Sequence, residues 1–420
     1  MTKSRTIFTG DNLPILRGMD SESIDLIYLD PPFNSKRDYA APIGSEAAGA
    51  EFKDTWTLSD TDDAWWGEIA EMNPALYKVI DAAGAVGGKG NKAYCIYMAI
   101  RLLEMHRVLK PTGSIVLHCD PTMSYSLKML ADAIFGTKNF ISEIVWNYGT
   151  PSGGRAGGKK PVKAHDILLA YAVSYGRHVY NRVHTPYTDK YITNWFRHKD
   201  ADGRKYRTRS RQGKIIKQYL DESPGVPLSN VWSDIMQLYG SAGWFPKRKT
   251  DERTGYPTQK PLALLRRIIR VFSNPGDMVL DPFCGCATAC LAAMDENRDW
   301  IGIDISPKAF DLINQRMKKE FNMFGADTIH RKDIPIRSDA AKRSKNIKHV
   351  LFGRQSGICK GCQHDFPFRN FHIDHVIPTS KGGADDDSNL QLLCGACNSM
   401  KGNRSMEYLL AKLKDEGVRR

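Results

Sequence analysis

The chain has 420 residues, of which 41% are hydrophobic, so it is long enough for two or three domains with sizeable cores. Lys and Arg number 60 against 47 Asp and Glu, and the formal charge of +13 favours a polyanionic partner, either nucleic acid or an anionic membrane surface. No stretch approaches the ~18 apolar residues of a membrane span, and the N-terminal MTKSRTIFTGDN lacks an apolar signal core, so we expect a cytoplasmic, nucleoid-associated protein.

Short apolar runs alternate with helical patterns over residues 1–325. The runs end near acids or turn residues, and stretches of helical period lie between them. This alternation predicts an α/β fold with a mainly parallel sheet. The strand candidates are DLIYLD (25–30), SIVLHCD (114–120), DILLAYAV (166–173), MVLDPF (278–283) and WIGIDIS (300–306), and the helix candidates include YMAIRLLEMHRVLK (97–110) and KPLALLRRIIRVFS (260–273).

The first strand candidate stops on an acid, two prolines and an aromatic ring. In DLIYLDPPFNSK (25–36) the double proline forbids continuation of the strand, so the carboxylate of Asp30 and the ring of Phe33 are held rigidly at its end. A capping Asp followed by a tight proline turn is the purely structural alternative. An irregular stretch follows with three tryptophans that either pack structurally or form a lid over DNA, namely Trp56, Trp65 and Trp66.

From about 147 to 250 the regular pattern gives way to basic, glycine-rich sequence. Residues 196–217 carry nine Lys or Arg against two Asp, and several aromatic residues lie in or beside them. A solvated insertion would also carry such charge. Basic and aromatic residues mixed within an otherwise regular enzyme domain nevertheless favour contact with DNA.

A loop of small residues follows the strand candidate at 278–283. NPGDMVLDPFCGCATA (274–289) predicts a turn, a strand, this loop and a helix start, and such a loop lets the backbone approach a ligand at the mouth of a parallel sheet. Asp304 closes the next strand 23 residues after Asp281, where an acid is well placed to bind ribose hydroxyls. A dinucleotide is less suitable, because no complete GxGxxG is present.

Together these segments resemble the DNA aminomethyltransferases over residues 1 to about 325. Asp-Pro-Pro-Phe at 30–33 is similar to the catalytic signature of that family, and DPFCGCAT (281–288) is similar to its loop for S-adenosylmethionine. The catalytic motif precedes the cofactor loop and the basic insertion lies between them, which is the order of the family's β group. The resemblance implies a Rossmann-like methyltransferase acting on double-stranded DNA, with 147–250 as its target-recognition insertion.

The resemblance also implies a set of cofactor-binding residues. FTGDNLPIL (8–16) would place an acid by the cofactor adenine, and GYPTQKPLALLRRII (255–269) would help to close the pocket. The expected ligands of S-adenosylmethionine are Asp11, Thr258, Gln259, Lys260, Asp281, Phe283, Gly285 and Asp304. Ala287 stands where the family loop usually has Gly. Its methyl group would crowd the cofactor if the residue has positive φ, and we expect the site to accommodate it.

The chemistry of methyl transfer explains the residue types at 30–33. An exocyclic amine on a base is a poor nucleophile because its lone pair is conjugated with the ring. The amine becomes more tetrahedral, and a better nucleophile, when the protein accepts a hydrogen bond from each of its two N–H groups. Asp30 is expected to accept one of these hydrogen bonds, and the carbonyl of Pro31, held by the stiff pair with Pro32, is expected to accept the other. Phe33 is expected to stack on a flipped base. Asp at the first position favours adenine N6 over cytosine N4, for which Ser would be typical.

A second basic stretch, at 326–348, predicts a linker to a terminal module at 349–420. The module contains CKGC and CGAC, and in a reducing compartment such pairs indicate metal ligands rather than disulfides. Four thiolates suit a tetrahedral structural zinc, which stabilises a domain of this size. The predicted ligands are Cys359, Cys362, Cys394 and Cys397.

Residues 371–405, FHIDHVIPTSKGGADDDSNLQLLCGACNSMKGNRS, resemble the HNH nuclease family over its ββα-metal core. On that match Asp374 and Asn398 bind a divalent cation, Mg²⁺ or Mn²⁺, with Asn398 in place of a His. His375 is the general base that activates water. Asn389 supports the loop and orients the histidine.

Three functions of the whole protein remain open. The first is a site-specific adenine N6 DNA methyltransferase fused to a metal-dependent HNH endonuclease, as in restriction and modification. The second keeps the methyltransferase but gives the zinc module only a DNA-docking role. The third moves the target away from DNA to RNA bases or protein amides, although Asp at the first motif position argues against glutamine amides. Cytosine N4 is the alternative to adenine N6. Family analogy also makes a homodimer plausible.

Overall fold

The computed structural model describes residues 5–34, 39–41, 45, 47–48, 51–52, 54–149, 159, 161–238, 252–256, 258–321, 328–339 and 347–418. The strands within these ranges are β1 (Arg5–Thr9), β2 (Ile24–Leu29), β3 (Tyr39–Ala40), β4 (Glu51–Phe52), β5 (Leu109–Cys119), β6 (Phe140–Asn147), β7 (His165–Ala172), β8 (His184–Thr185), β9 (His198–Lys199), β10 (Lys205–Arg211), β11 (Lys214–Tyr219), β12 (Val226–Pro227), β13 (Val231–Trp232), β14 (Met278–Asp281), β15 (Asp299–Asp304), β16 (Ile329–Arg331), β17 (Phe371–His375) and β18 (Leu390–Cys394).

The α-helices in the same ranges are α1 (Asn12–Gly18), α2 (Asp63–Met72), α3 (Pro74–Val108), α4 (Ser124–Phe135), α5 (Asp189–Trp195), α6 (Leu262–Phe272), α7 (Thr288–Asp295), α8 (Lys308–Phe321), α9 (Ile347–Arg354), α10 (Gly395–Lys401) and α11 (Met406–Asp415). Helix α3 is kinked at Gly88, where φ is 81°. None of these helices is both long enough and apolar enough to cross a membrane.

A nine-stranded sheet organises the N-terminal three quarters of the chain, in the order β13-β6-β7-β5-β2-β14-β15-β1-β16. Every neighbouring pair is parallel except those of β7, which runs antiparallel to β5 and β6. One hydrophobic cluster covers the face under α1–α4, and another covers the face under α6–α8. The predicted α/β fold with a mainly parallel sheet is confirmed.

The carboxyl ends of parallel strands meet at one edge of this sheet. In the pairing register Leu280 of β14 lies opposite Ile27 of β2 and Ile301 of β15, and β15 in turn pairs with β1 along its whole length. The residues that end or follow these strands are therefore brought together, although they are distant in the sequence. They are Asp11, Asp30, Asp281 and Asp304.

Two basic segments contribute strands to the sheet. Residues 147–250 include the predicted strand at 166–173, which forms the buried β7, and also β13, which pairs with β6. Residues 326–348, expected to be a linker, include β16, which pairs with β1 and satisfies backbone groups that would otherwise lie at an open edge. Ser338 also donates a backbone hydrogen bond to Asp20 at 2.7 Å.

The basic hairpin β10–β11 projects from the region after β7. Its two-residue loop consists of Gln212 and Gly213, which have φ of 51° and 76°. Two successive positive φ angles are typical of the type I′ turn, whose twist matches that of the flanking strands. Isoleucines 215 and 216 are exposed, and so are Lys205, Arg209, Lys214 and Lys217, while Arg207 is buried. This ribbon therefore presents a mixed cationic and apolar surface.

The terminal module is built from the antiparallel pair β17–β18 followed by α10, and α9 fastens it to the sheet domain. Helix α9 packs against α2, with the His349 backbone so close to Gly67 that a Cβ on Gly67 would lie 2.5 Å from His349 Cα. Phe352 is fully buried and packs edge-on to Tyr77. The side chains of both domains therefore form one continuous hydrophobic cluster.

We expect Gly353→Ala to loosen this docking, because a Cβ at Gly353 would collide with the backbone oxygen of Asp63 on α2. The matched control is Gly395→Ala on α10, where the nearest atom to the new Cβ is 3.6 Å away. Overpacking should cost Gly353→Ala about 1–3 kcal/mol of the free energy of unfolding, while the control stays near the wild type. Urea denaturation measures both, and equal stabilities would contradict the packing of α9 on α2.

Candidate active sites

A cavity of about 820 Å³ opens at the carboxyl edge of the sheet. The residues predicted for methyl transfer and for the cofactor all line it, although they come from five separate parts of the chain. They are Asp11, Asp30, Pro31, Pro32, Phe33, Thr258, Gln259, Lys260, Asp281, Phe283, Gly285 and Asp304. The structure therefore brings the motif at 30–33 and the small-residue loop into one site.

Asp30 lies in this cavity with its two oxygens in different environments. Oδ2 accepts a hydrogen bond from Lys260 Nζ at 2.5 Å, and both side chains are largely buried. Oδ1 is buried and has no hydrogen-bond partner among the described residues. Lys260 Nζ also lies 5.5 Å from the ring centre of Phe33. Because a buried acceptor is costly when it is left unpaired, Oδ1 is suited to receive an N–H group from a ligand.

The loop after β14 is shaped by Asp304. Its Oδ2 accepts a hydrogen bond from the backbone N–H of Gly285, and its Oδ1 accepts one from Ser306, each at 2.8 Å. Gly285 has φ of 50°, and a Cβ there would lie 2.9 Å from the ring of Tyr256, so glycine is required. Burial raises the pKa of Asp304. Asp304, which was expected to bind the ribose hydroxyls, thus also holds the loop after β14 in place.

Asp281 and Ala287 show how closely this loop is packed. Burial raises the pKa of Asp281, and the nearby charges of Asp30 and Asp304 add to the effect despite a hydrogen bond from Phe283 N–H. Ala287 has φ of 56°, so the condition for crowding is met. Its methyl group, however, is fully buried in the hydrophobic cluster under α6–α8 and does not line the cavity. The backbone therefore carries the strain, and the cavity keeps its volume.

Gln259 organises the segment that closes the cavity. Its Oε1 accepts hydrogen bonds from the backbone N–H and the hydroxyl of Thr254, both at 2.9 Å, and its Nε2 donates to the carbonyl of Glu252. The neighbouring Thr258 has φ of 64°. The side-chain amide of Gln259 is thus engaged in holding the loop, while both residues still face the cavity.

Arg101 is a cavity residue that the motifs did not indicate. It is 2% exposed, and its guanidinium donates to Asp11 Oδ1 at 2.8 Å and to Asn12 Oδ1 at 2.6 Å. It also lies over the ring of Tyr97 at 3.5 Å and faces Trp65 at 5.3 Å. The sequence signal that could have identified it is an arginine on the apolar face of a helical pattern. An arginine at such a position is rarely buried unless it forms an ion pair.

The three tryptophans have different surroundings. Trp56 and Trp65 line the cavity, and Trp56 packs on Tyr97 at 4.1 Å. Trp66 is buried and stacks on Tyr77 at 4.3 Å, below the contact with α9. Trp66 thus packs structurally, while a lid over DNA formed by Trp56 and Trp65 stays a prediction.

The terminal module holds four cysteines whose sulfur atoms lie within 4.8 Å of one another, Cys359, Cys362, Cys394 and Cys397. Cys362 Sγ and Cys394 Sγ are 4.0 Å apart, about twice the ~2.05 Å of a disulfide. A tetrahedral zinc with Zn–S bonds of about 2.3 Å would place sulfurs roughly 3.8 Å apart. Burial would raise the pKa of Cys359, but backbone N–H groups that include that of Cys394 lower it below its usual range. The donor set therefore fits zinc.

The predicted nuclease residues lie at the end of β17 and on α10. Asp374 Oδ1 accepts a hydrogen bond from Lys401 Nζ at 3.1 Å, and Oδ2 accepts one from Gln391 Nε2 at 2.8 Å. Lys401 is 1% exposed and also donates to the carbonyl of His375 at 2.8 Å. His375 Nε2 contacts Asp385 Oδ1 at 2.8 Å. Lys401, Gln391 and Asp385 were not predicted from the sequence.

Asn389 and Asn398 occupy different positions in this module. Asn389 is buried, accepts from Ile377 N–H at 2.9 Å, and donates to the carbonyls of Ile377 and Ala384. It therefore holds the loop between β17 and β18, while the group that contacts the His375 ring is Asp385. Asn398 lies three residues before Lys401 on α10, a spacing that puts both side chains on one face of the helix.

Comparisons with known proteins agree with this two-part arrangement. A family model described as DNA methylase matches residues 24–315, and one described as HNH endonuclease matches residues 359–404. The Type II methyltransferase M.HpaI of Haemophilus parainfluenzae is 28% identical over 80% of this chain and 82% of its own length. The DNA adenine methyltransferase YhdJ of Escherichia coli K12 is 29% identical over 72% and 79%.

Among solved structures, the M1.HpyAVI–SAM complex overlays with a TM-score of 0.41 at 18% identity, covering 74% of this chain and 98% of that one. The DNA methylase match spans more than two thirds of the 420 residues, and the second match falls on the module that holds the four-cysteine cluster. The chain thus belongs to the N6/N4 DNA methylase family and carries an HNH endonuclease domain at its C-terminal end.

Proposed function

We propose that this DNA methyltransferase transfers a methyl group from S-adenosylmethionine to adenine N6 of double-stranded DNA, and that its HNH domain cleaves DNA. The observation that carries the first part is Asp30 Oδ1, a buried acceptor without a partner among the described residues, in a cavity at the carboxyl edge of the sheet. The description of YhdJ as an adenine methyltransferase supports the choice of base.

The cavity suits S-adenosylmethionine in size and in the chemistry of its lining. Its lining includes the acids Asp11 and Asp304, which can accept hydrogen bonds, together with Phe283 and the glycine backbone of the loop at 285. Aromatic rings of Tyr97 and Trp65 add apolar surface for a purine ring. When bound, the cofactor supplies a methyl group on a sulfonium that needs only in-line positioning.

The residues at 30–33 would prepare the base for attack. Asp30 Oδ1 accepts one N–H of the amine, and the Pro31 carbonyl, held in place by Pro32, accepts the other. Lys260 occupies Oδ2, so the carboxylate cannot rotate freely and Oδ1 stays directed at the amine. Phe33 provides the surface on which the flipped base stacks.

The exposed ribbon β10–β11 is the best candidate for the contact with DNA. Its Lys and Arg side chains can neutralise phosphates, and its narrow two-stranded form fits a major groove. We propose the described residues 174–230 as the target-recognition part of the segment at 147–250. Cytosine N4 and RNA remain the alternative targets.

The HNH domain offers one carboxylate and one amide oxygen to a divalent cation, Asp374 and Asn398. This donor set fits Mg²⁺ or Mn²⁺, which keeps several water ligands when it is bound near a phosphate. Lys401 neutralises Asp374 in the described structure, so a cation would share this carboxylate with the ammonium group. His375 would take a proton from the attacking water, and Asn389 would hold the surrounding loop.

Several broader assignments complete the proposal. The domains are residues 1–325 for methyl transfer, 326–348 as the connection and 349–420 for the nuclease. A homodimer and a location at the nucleoid follow from family analogy and from the charge of +13.

Replacing Asp30 by Asn should slow methyl transfer to duplex DNA by about 10²–10³-fold, because the amine loses a charged acceptor. Binding of the labelled cofactor should change little, since Asp30 faces the base. The matched control is Asp311→Asn, an exposed acid on α8 outside the cavity. Transfer by Asp30→Asn at the wild-type rate would contradict the assignment of the acceptor.

His375→Ala should abolish Mg²⁺- or Mn²⁺-dependent nicking or cutting of DNA, because the proposed general base for the attacking water is lost. His364→Ala, an exposed histidine of the same module, should retain cleavage. Supercoiled plasmids with and without methylation serve as substrates. If the wild type cuts none of them, the module is a DNA-docking domain.

Removal of zinc by a strong chelator should unfold residues 347–418 before the sheet domain, because the four cysteines staple a small core. Hydrogen exchange followed by mass spectrometry resolves the two regions. Unchanged protection of 359–397 after complete chelation would contradict the four-cysteine site.

A further inference from the structure

Three buried polar side chains from adjacent strands form a chain of contacts beside Asp30. Tyr28 of β2 has its hydroxyl 3.0 Å from His118 Nδ1 on β5, and His118 Nε2 lies 3.2 Å from Asp166 Oδ2 on β7. The three residues are 2%, 0% and 7% exposed, respectively. Burying such groups costs free energy unless each is paired, so a complete polar network in an apolar sheet requires an explanation.

The positions of the protons in this network follow from its partners. Burial alone would raise the pKa of Asp166, but the hydrogen bond from His118 and the charges of Lys260 and Lys163 hold it well below its usual range. Lys163 Nζ lies 2.7 Å from Asp166 Oδ1. An ionised carboxylate only accepts, so His118 donates from Nε2 and its Nδ1 is free to accept the hydroxyl proton of Tyr28.

The network reaches the cavity through Tyr28. Tyr28 of β2 lies two residues before Asp30, which follows the strand directly, and both residues line the cavity. The ring of Phe33 stacks over His118 with centres 6.3 Å apart and planes at 29°. A base stacked on Phe33 would thus lie above the network, with its amine between Asp30 and the Tyr28 oxygen.

We propose, on the basis of the methyl transfer proposed above, that Tyr28, His118 and Asp166 form a relay that removes the proton released on methylation. The amine nitrogen bonds to the methyl carbon while the electron pair of the breaking C–S bond stays on sulfur, which leaves the nitrogen with one proton too many. The Tyr28 oxygen takes that proton as its own passes to His118 Nδ1. Asp166 stabilises the imidazolium, which returns the proton to solvent after the product leaves.

With the relay, Asp30 orients the amine and a different group removes its proton. Without the relay, the Asp30 carboxylate would have to do both. Asp30 already has an ammonium partner at 2.5 Å, so it serves as the hydrogen-bond acceptor that orients the amine. His118 can accept the proton because its second nitrogen is held by an anion. The charged and titratable groups that face it are Tyr28 and Asp30 from β2 and its turn, Asp120 after β5, Lys163 and Asp166 at β7, and Lys260 before α6, while Trp146 of β6 is neutral.

The relay moves a proton from the Tyr28 hydroxyl to His118 Nδ1 during methyl transfer. The single-turnover transfer rate should therefore be lower in D₂O than in H₂O. Tyr28→Phe keeps the ring and its packing but disconnects the relay, so it should be about 10²-fold slower and lose this solvent isotope effect. Tyr171→Phe is the matched control, since it removes a buried hydroxyl in the same sheet, bonded to Asp132 at 2.7 Å and outside the cavity. It should keep the wild-type rate and isotope effect.

A second measurement tests the hydrogen bonds of the relay without requiring methyl transfer. Nitrogen-15 NMR of histidine-labelled protein, with His118→Gln to identify the signal, should show the Nε2–H tautomer of His118 and a changed Nδ1 signal in Tyr28→Phe. The relay is overturned by the Nδ1–H tautomer, or by Tyr28→Phe with the wild-type rate and isotope effect. A wild type that methylates no DNA would instead overturn the proposed function, and the relay with it.

Discussion

The arrangement of the active site depends on one ion pair at the end of a buried strand. Lys260 holds one oxygen of Asp30 and leaves the other directed into the cavity. The pair forms because β2 and the segment before α6 reach the same edge of the sheet, and because the double proline after Asp30 prevents the chain from continuing as a strand. The loop after β14, Phe33 and Asp30 all take their positions in the cavity from this edge.

Much of this arrangement could be predicted from local sequence. A buried strand that ends on an acid is visible as an apolar run, and the carboxyl ends of parallel strands must meet, so Asp30, Asp281 and Asp304 could be expected together. The cysteine pairs were equally clear, because four ligands with this spacing have few other uses.

What could not be predicted depends on which elements become neighbours. The sequence shows residues 166–173 as a strand but does not show that it runs antiparallel between β5 and β6, which is what brings Asp166 to His118. The contacts of Arg101 with Asp11, and of Lys401 with Asp374, likewise join residues from separate elements. Basic sequence was also misleading at 326–348, where β16 completes the sheet edge.

The two domains are more closely connected than a linker between them would imply. Helix α2 faces the cavity through Trp65 and faces α9 through Trp66 and Gly67, so the cofactor site and the nuclease domain share one helix and one hydrophobic cluster. A protein that marks and cuts the same polymer would thus present both sites from a single continuous core.

The most direct test of this account is long-read sequencing of DNA from cells that express the His375→Ala form. The predicted result is N6-methyladenine at a single recurring sequence motif, absent from cells that express the same protein with Asp30→Ala added. Cytosine N4 methylation at the motif, or modification that persists without Asp30, would contradict it.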